Sequence, residues 1–196
     1  MHIRIGLAMT VMLAGAALAQ PASLQATMAR ATQDGAGAPV GTISVTLSTE
    51  GAVFKLDLKG LPPGPHGFHV HENGECGPIN LNGVRIPAGA AGGHLDPEHT
   101  GKHEGPMGAG HLGDLPLLEV AADGTATQSL TAPRIRDLDL LKGHAMIIHA
   151  NGDNYSDQPT SLGGGGGPAG GVPSGESPSC ASIALRAAAA IAGSLP

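Results

Sequence analysis

His69 and His71 stand one residue apart in a short run, 67–71, that reads as a β-strand. Side chains at i and i+2 of a strand share a face, so the two imidazoles point the same way, about 7 Å apart at the backbone. That spacing suits two ligands of one ion. Further along, His94, His103, His111 and Asp114 bring three imidazoles and a carboxylate into 21 residues. Four nitrogen and oxygen donors of this kind suit a closed tetrahedral zinc site. A glycine-rich segment wraps an ion easily because it has few bulky side chains, and the ion then supplies the ordering energy. His149 ends the apolar run that starts at Gly143, and Asp153 follows four residues later. Added to His69 and His71, His149 makes a nitrogen-rich set with room for a substrate, a preference of copper(II).

These donors need a scaffold, and the strand signals are short. Residues 25–32, 41–47 and 52–58 alternate apolar and polar side chains, with turns expected at Asp34-Gly35 and Glu50-Gly51. Leu61-Pro62-Pro63-Gly64 breaks the pattern before the strand 67–71. Residues 73–116 are dense in Gly, Pro, His and Asp and show little periodicity, so they are expected to form one long functional loop held by metal. Strand pattern returns at 117–120, 125–130 and 143–150, and a last strand is expected at 180–185. Residues 163–171 read as a glycine-rich loop, and the chain after about Arg186 reads as a tail. With 32 Gly and 16 Pro, long helices are not expected. Two Phe, one Tyr and no Trp leave the core to Val, Ile, Leu and Ala. The fold class implied is all-β, an antiparallel sandwich or barrel with long loops.

Residues 1–19 are expected to be a signal peptide. Arg4 is a short basic region, residues 6–15 are apolar, and Ala17-Leu18-Ala19 is a small-x-small cleavage pattern. The mature chain would then start at Gln20 and form a single domain, 20–196, with no membrane association after cleavage. Loss of Arg4 leaves nine Lys and Arg against sixteen Asp and Glu, a formal charge of −7. Such an acidic balance argues against nucleic acid or an anionic membrane as partner.

The residues around the donors carry a family resemblance. Gly67-Phe68-His69-Val70-His71-Glu72, Gly92-Gly93-His94 and Gly101-Lys102-His103 are similar to segments of bacterial copper–zinc superoxide dismutases. So are Gly110-His111-Leu112-Gly113-Asp114-Leu115-Pro116, the strand from Gly143-His144-Ala145 to His149, Gly152-Asp153-Asn154 and Ser156-Asp157-Gln158-Pro159. The likeness runs from about Gly41 to Gly166. It implies a Greek-key β-sandwich or barrel in the periplasm, with copper and zinc as cofactors and superoxide anion as substrate. His69, His71, His94 and His149 would hold copper. His94, His103, His111 and Asp114 would hold zinc, and His94 would bridge the two ions. Asp153 would join His69 to His103 from outside the ligand set, and Cys76 would tie the metal loop to the barrel through Cys180. The implied reaction is dismutation to dioxygen and hydrogen peroxide by a copper redox cycle, in which the zinc-held His94 takes up and delivers a proton. His66, His99 and His144 receive no role and are expected to be structural or solvent-facing. Monomers and homodimers both occur among the bacterial relatives, so a homodimer is one of two oligomeric states left open.

The C-terminal segment departs from the pattern. The family places an arginine three residues before its second cysteine, where this chain has Ser177. One register keeps Cys180 as partner of Cys76 and puts an insertion in the glycine loop. The other sets Gly170-Gly171-Val172 against the family's Cys-Gly-Val and loses the cysteine. The first is preferred because it pairs the two cysteines of the chain. Neither recovers the arginine, which keeps a second reading open: a dismutase-like copper- and zinc-binding protein with weak turnover.

Overall fold

The computed structural model describes residues 23–157, 179–182 and 184–185. The expected signal peptide, the glycine run at 163–171, Ser177, Arg186 and the tail lie outside the described residues. The strands are β1 (Ser23–Thr32), β2 (Gly35–Ser48), β3 (Gly51–Leu58), β4 (Gly64–His66), β5 (Phe68–His71), β6 (Ile79–Leu81), β7 (Val84–Ile86), β8 (Leu118–Val120), β9 (Ser129–Ala132), β10 (Ala145–Ile148), β11 (Ser179–Ser182) and β12 (Ala184–Leu185). The main sheet runs β5-β10-β11-β1-β2-β3-β9, with β12 also paired to β1. Every neighbouring pair in it is antiparallel. β4 leads directly into β5 and pairs with β8, and the chain after β8 reaches back to β3 through the bridge Leu58–Ala126. These contacts curl the sheet towards closure. The fold is all-β and antiparallel, with the Greek-key crossings of a barrel.

Period-two alternation builds the interior. Leu24, Ala26 and Met28 of β1, Ile43 and Val45 of β2, and Phe54, Leu56 and Leu58 of β3 all face one core. The chain's two phenylalanines, Phe54 and Phe68, meet edge to face with ring centroids 5.7 Å apart, a favoured aromatic geometry. A smaller cluster of Ala31, Ala88, Ala91, Ala145, Ile147 and Cys180 packs against Cys76. There the disulfide Cys76–Cys180 closes, with Cα atoms 5.7 Å apart. β11 sets Cys180 opposite Ile147 of β10 and Ala29 of β1. This is the register that pairs the two cysteines.

Two expectations need correction. Residues 73–116 are not free of secondary structure: β6 and β7 form a hairpin, and Gly89–Ala91 is a 3-10 turn. The signal was present, because Asn82-Gly83 between alternating aliphatics is a strong hairpin turn, and both residues take positive φ, 52° and 86°. The strand expected at 125–130 lies later, at Ser129–Ala132, and its first part meets β3 through the isolated bridge at Ala126 and a bond from the Leu56 N–H to the Gln128 carbonyl. Thr125 is held in the preceding turn, where its backbone and hydroxyl both donate to Asp123.

Candidate metal centre

β5 is buried on both faces. Phe68 and Val70 enter the apolar core, so the alternation of the strand turns His69 and His71 to the opposite side. β10 lies beside β5, with Ile147 opposite His69. The chain leaves β10 at His149, whose N–H donates to the Gly67 carbonyl at 2.8 Å. Its ring thereby stands 4.8 Å from that of His69 and 5.6 Å from that of His71.

The loop brings in the other donors by pairing its backbone with β5. Val70 donates to the Gly113 carbonyl at 2.9 Å, and Leu95 donates to the Val70 carbonyl at 2.8 Å. The resulting bridges set His94 opposite His71 and Asp114 opposite His69. Gly113 permits this approach, since a Cβ there would stand 2.2 Å from the Val70 carbonyl oxygen.

Two groups of donors result. His69, His71, His94 and His149 each offer a ligand atom, all within 4.8 Å of one another. On the far side of His94, three Nδ1 atoms converge on Asp114 Oδ1: His103 at 2.9 Å, His94 at 3.0 Å and His111 at 3.5 Å. Donors about 2.0 to 2.1 Å from one tetrahedral zinc stand roughly 3.3 Å apart, within the observed spread. His69 also falls within 4.8 Å of His94, His103 and Asp114, because its ring stacks on His94 at 3.9 Å. His111 sits at the rim of that group, its ring 5.3 Å from that of His94.

Fixed partners set the orientation of four rings. His71 Nδ1 donates to the Gly92 carbonyl at 2.9 Å. His69 Nε2 and His103 Nε2 both meet Asp153 Oδ2, at 2.7 and 2.8 Å, and His94 Nδ1 lies beside Asp114. The opposite nitrogens are left over. The buried side-chain atoms without a hydrogen-bond partner include His69 Nδ1, His71 Nε2, His94 Nε2, His103 Nδ1, His111 Nδ1 and His149 Nε2. One comes from each expected histidine ligand, and Ser179 Oγ is the sole other such atom among the described residues. Orphaned buried nitrogens are costly, and convergent sets of them fit metal ions.

The electrostatics of four rings agree. Burial, reinforced by neighbouring imidazoles, holds His69 and His149 well below the ordinary histidine range. His71 falls to about 3, chiefly by burial and then by His94. Burial also lowers His94, against the opposing pull of Asp114. These rings are therefore neutral at neutral pH, the form that binds metal. At His103 burial also acts downwards, but Asp114 and Asp153 outweigh it and raise the ring to about 9. Burial would raise Asp114, yet His103 and His94 keep it below the usual carboxylate range.

The histidines without an expected role are also placed. His66 is buried, with its ring nitrogens 2.7 Å from the His149 carbonyl and 2.8 Å from that of Pro62. His144 Nδ1 donates to the His71 carbonyl at 3.0 Å, and His99 is exposed. One residue of the centre escaped sequence reasoning. Tyr155 packs its ring 5.8 Å from that of His103.

Residues 40–172 match the family model of copper/zinc superoxide dismutase (SODC). The superoxide dismutase [Cu-Zn] 2 of Salmonella typhimurium is 53% identical over 163 residues, which span 83% of this chain and 94% of the relative. The Cu/Zn superoxide dismutase of Brucella abortus superposes with a TM-score of 0.73 at 42% identity, over 82% of this chain and 98% of that one. The monomeric copper, zinc superoxide dismutase of Salmonella enterica does so with a TM-score of 0.69 at 46% identity, over 83% and 99%. With the sequence, the barrel and the two donor groups in agreement, the chain belongs to the copper/zinc superoxide dismutase family.

Proposed function

We propose that this chain dismutates superoxide with copper held by His69, His71, His94 and His149, and zinc held by His94, His103, His111 and Asp114. The observation that carries the assignment is the six unpartnered ring nitrogens, one per histidine, facing two convergent sets. When bound, copper supplies the one-electron oxidation and reduction of superoxide, and zinc supplies a fixed positive charge. Two superoxide anions and two protons give one dioxygen and one hydrogen peroxide.

The protein's part is to hold donors and move a proton. His94 belongs to both groups, with Nδ1 beside Asp114 and Nε2 buried without a hydrogen-bond partner. Its Nε2 takes up a proton in one half of the cycle and returns it in the other, while the Nδ1 side stays anchored. His69, stacked on His94, limits how far that ring swings. Asp153 joins His69 to His103 and so couples the orientation of the two sites.

The mature chain starts at Gln20, forms one domain and works in the periplasm. The basic, apolar and Ala17-Leu18-Ala19 segments support export. The disulfide suits an oxidising compartment. The acidic balance supports neither nucleic acid nor membrane as partner.

Dismutase assay of the metal-reconstituted protein, alongside its copper and zinc content, tests the proposal. One copper and one zinc per chain with rapid turnover is expected. Two bound metals with negligible turnover would favour the metal-binding reading instead.

A further inference from the structure

Tyr155 adopts φ 54°, a left-handed conformation that is costly for a bulky side chain and points to over-determination by its surroundings. Three contacts supply it. The Tyr155 N–H donates to Asp153 Oδ1 at 2.7 Å, closing a turn in which the side chain of an aspartate bonds the backbone two residues on. The phenol donates to the Leu115 carbonyl at 3.0 Å. The ring rests on Gly105, where a Cβ would stand 2.9 Å from Tyr155 Cγ.

Each contact lands beside a donor of the proposed zinc set. Leu115 follows Asp114. Gly105 donates its N–H to Asp114 Oδ2 at 3.1 Å, so the ring packs on the peptide that orients that carboxylate. Asp153, bonded by the Tyr155 backbone, meets His103 Nε2, and the tyrosine ring itself covers His103. Two residues on, Asp157 Oδ1 accepts from the His103 N–H at 2.9 Å. Segment 153–157 thus grips His103 at ring and backbone while Tyr155 spans to Gly105 and Leu115.

We propose that Tyr155 is a positioning residue for zinc: it clamps the loop that carries His103 and Asp114 onto the Asp153 segment and thereby sets how fast zinc leaves. The inference rests on the reading of His94, His103, His111 and Asp114 as a zinc site. It concerns retention and not the chemistry of superoxide, because Tyr155 does not belong to either donor group.

The test is zinc release from the copper- and zinc-loaded protein into a chromophoric chelator. Tyr155→Ala should release zinc about tenfold faster or more, the usual scale for partners just outside a ligand set. Tyr155→Phe keeps the ring and loses one hydrogen bond, so it should recover most of the retention and stay within about threefold of the parent. Tyr155→Gly separates ring from backbone. Glycine is at ease at φ 54°, so if relief of the backbone were decisive it would hold zinc at least as well as the parent. Release from the glycine variant as fast as from the alanine variant supports the clamp, and parent-like retention in either overturns it.

A second measurement needs no variant. The chain has one tyrosine and no tryptophan, so its intrinsic emission reports on Tyr155 alone. Coupling is reciprocal: a ring that strengthens zinc binding must itself be held more firmly by zinc. Titrating zinc into the metal-free full chain should shift the emission and saturate at one equivalent. A flat titration with zinc bound overturns the clamp alone, whereas failure of the parent to bind zinc at all removes the site and the clamp together.

Discussion

Three imidazoles at the candidate metal centre have one nitrogen fixed from outside the donor sets and one left over, and the fixed one decides which atom faces an ion. His71 is held through Nδ1 by Gly92, whereas His69 and His103 are held through Nε2 by Asp153. Such bonds select tautomer and ring orientation. Replacement of Asp153 by Asn leaves every donor in place but weakens both anchors. Asp153→Asn is expected to lower zinc affinity by about 10- to 100-fold, read by competitive chelator titration, and unchanged affinity would remove Asp153 from this role. His149 belongs only to the donor group proposed for copper. His149→Ala should therefore abolish dismutation and copper binding while zinc content stays near one per chain. A wild-type rate in that variant would refute the copper assignment.

At the scale of the elements, the disulfide links the metal loop to the sheet. Cys76 lies shortly after β5 and Cys180 within β11, 104 residues apart. A closed loop of that length contributes about 4 to 5 kcal/mol by restricting the unfolded chain. The double change Cys76→Ser and Cys180→Ser is expected to lower the unfolding midpoint by roughly 10 °C, measured calorimetrically at matched metal content. The candidate donors were legible in the sequence because their chemistry is local in type and spacing: His69 and His71 at i, i+2, then a dense run from His94 to Asp114. The early strands were legible because Ile43, Val45, Phe54 and Leu56 alternate with polar neighbours. The hairpin at Asn82-Gly83 was hidden by the glycine and proline around it, although its turn chemistry was visible. The role of Tyr155 was not legible at all. It depends on Gly105 and Leu115, forty and more positions earlier, and only folding brings them together.

For the whole molecule, the governing quantity is charge. Superoxide is an anion, and the proposed mature chain carries −7, so capture needs a local positive field at the copper donors. The family resemblance places an arginine where this chain has Ser177, and neither that residue nor Arg186 is among those described. Among the cations of the described residues, Lys102 adjoins His103, Arg134 donates to the His111 carbonyl at 3.0 Å, and Lys142 pairs with Asp139 at 2.5 Å. Ser177→Arg should raise the rate at low ionic strength by about 2- to 10-fold. The gain should shrink as salt is added, because screening shortens the reach of a new charge. An unchanged low-salt rate in stopped-flow or pulse-radiolysis measurements would mean that another cation already fills the role.

The chain order of the donors has a temporal meaning. A polypeptide emerges from its N-terminus, and its domains form in that direction. Every donor of the proposed zinc set has been made once Asp114 appears, whereas copper's fourth donor waits for His149 at the end of β10. Vectorial emergence therefore gives zinc the earlier opportunity, and a loop already gathered around zinc presents His94 to β10 when that strand arrives.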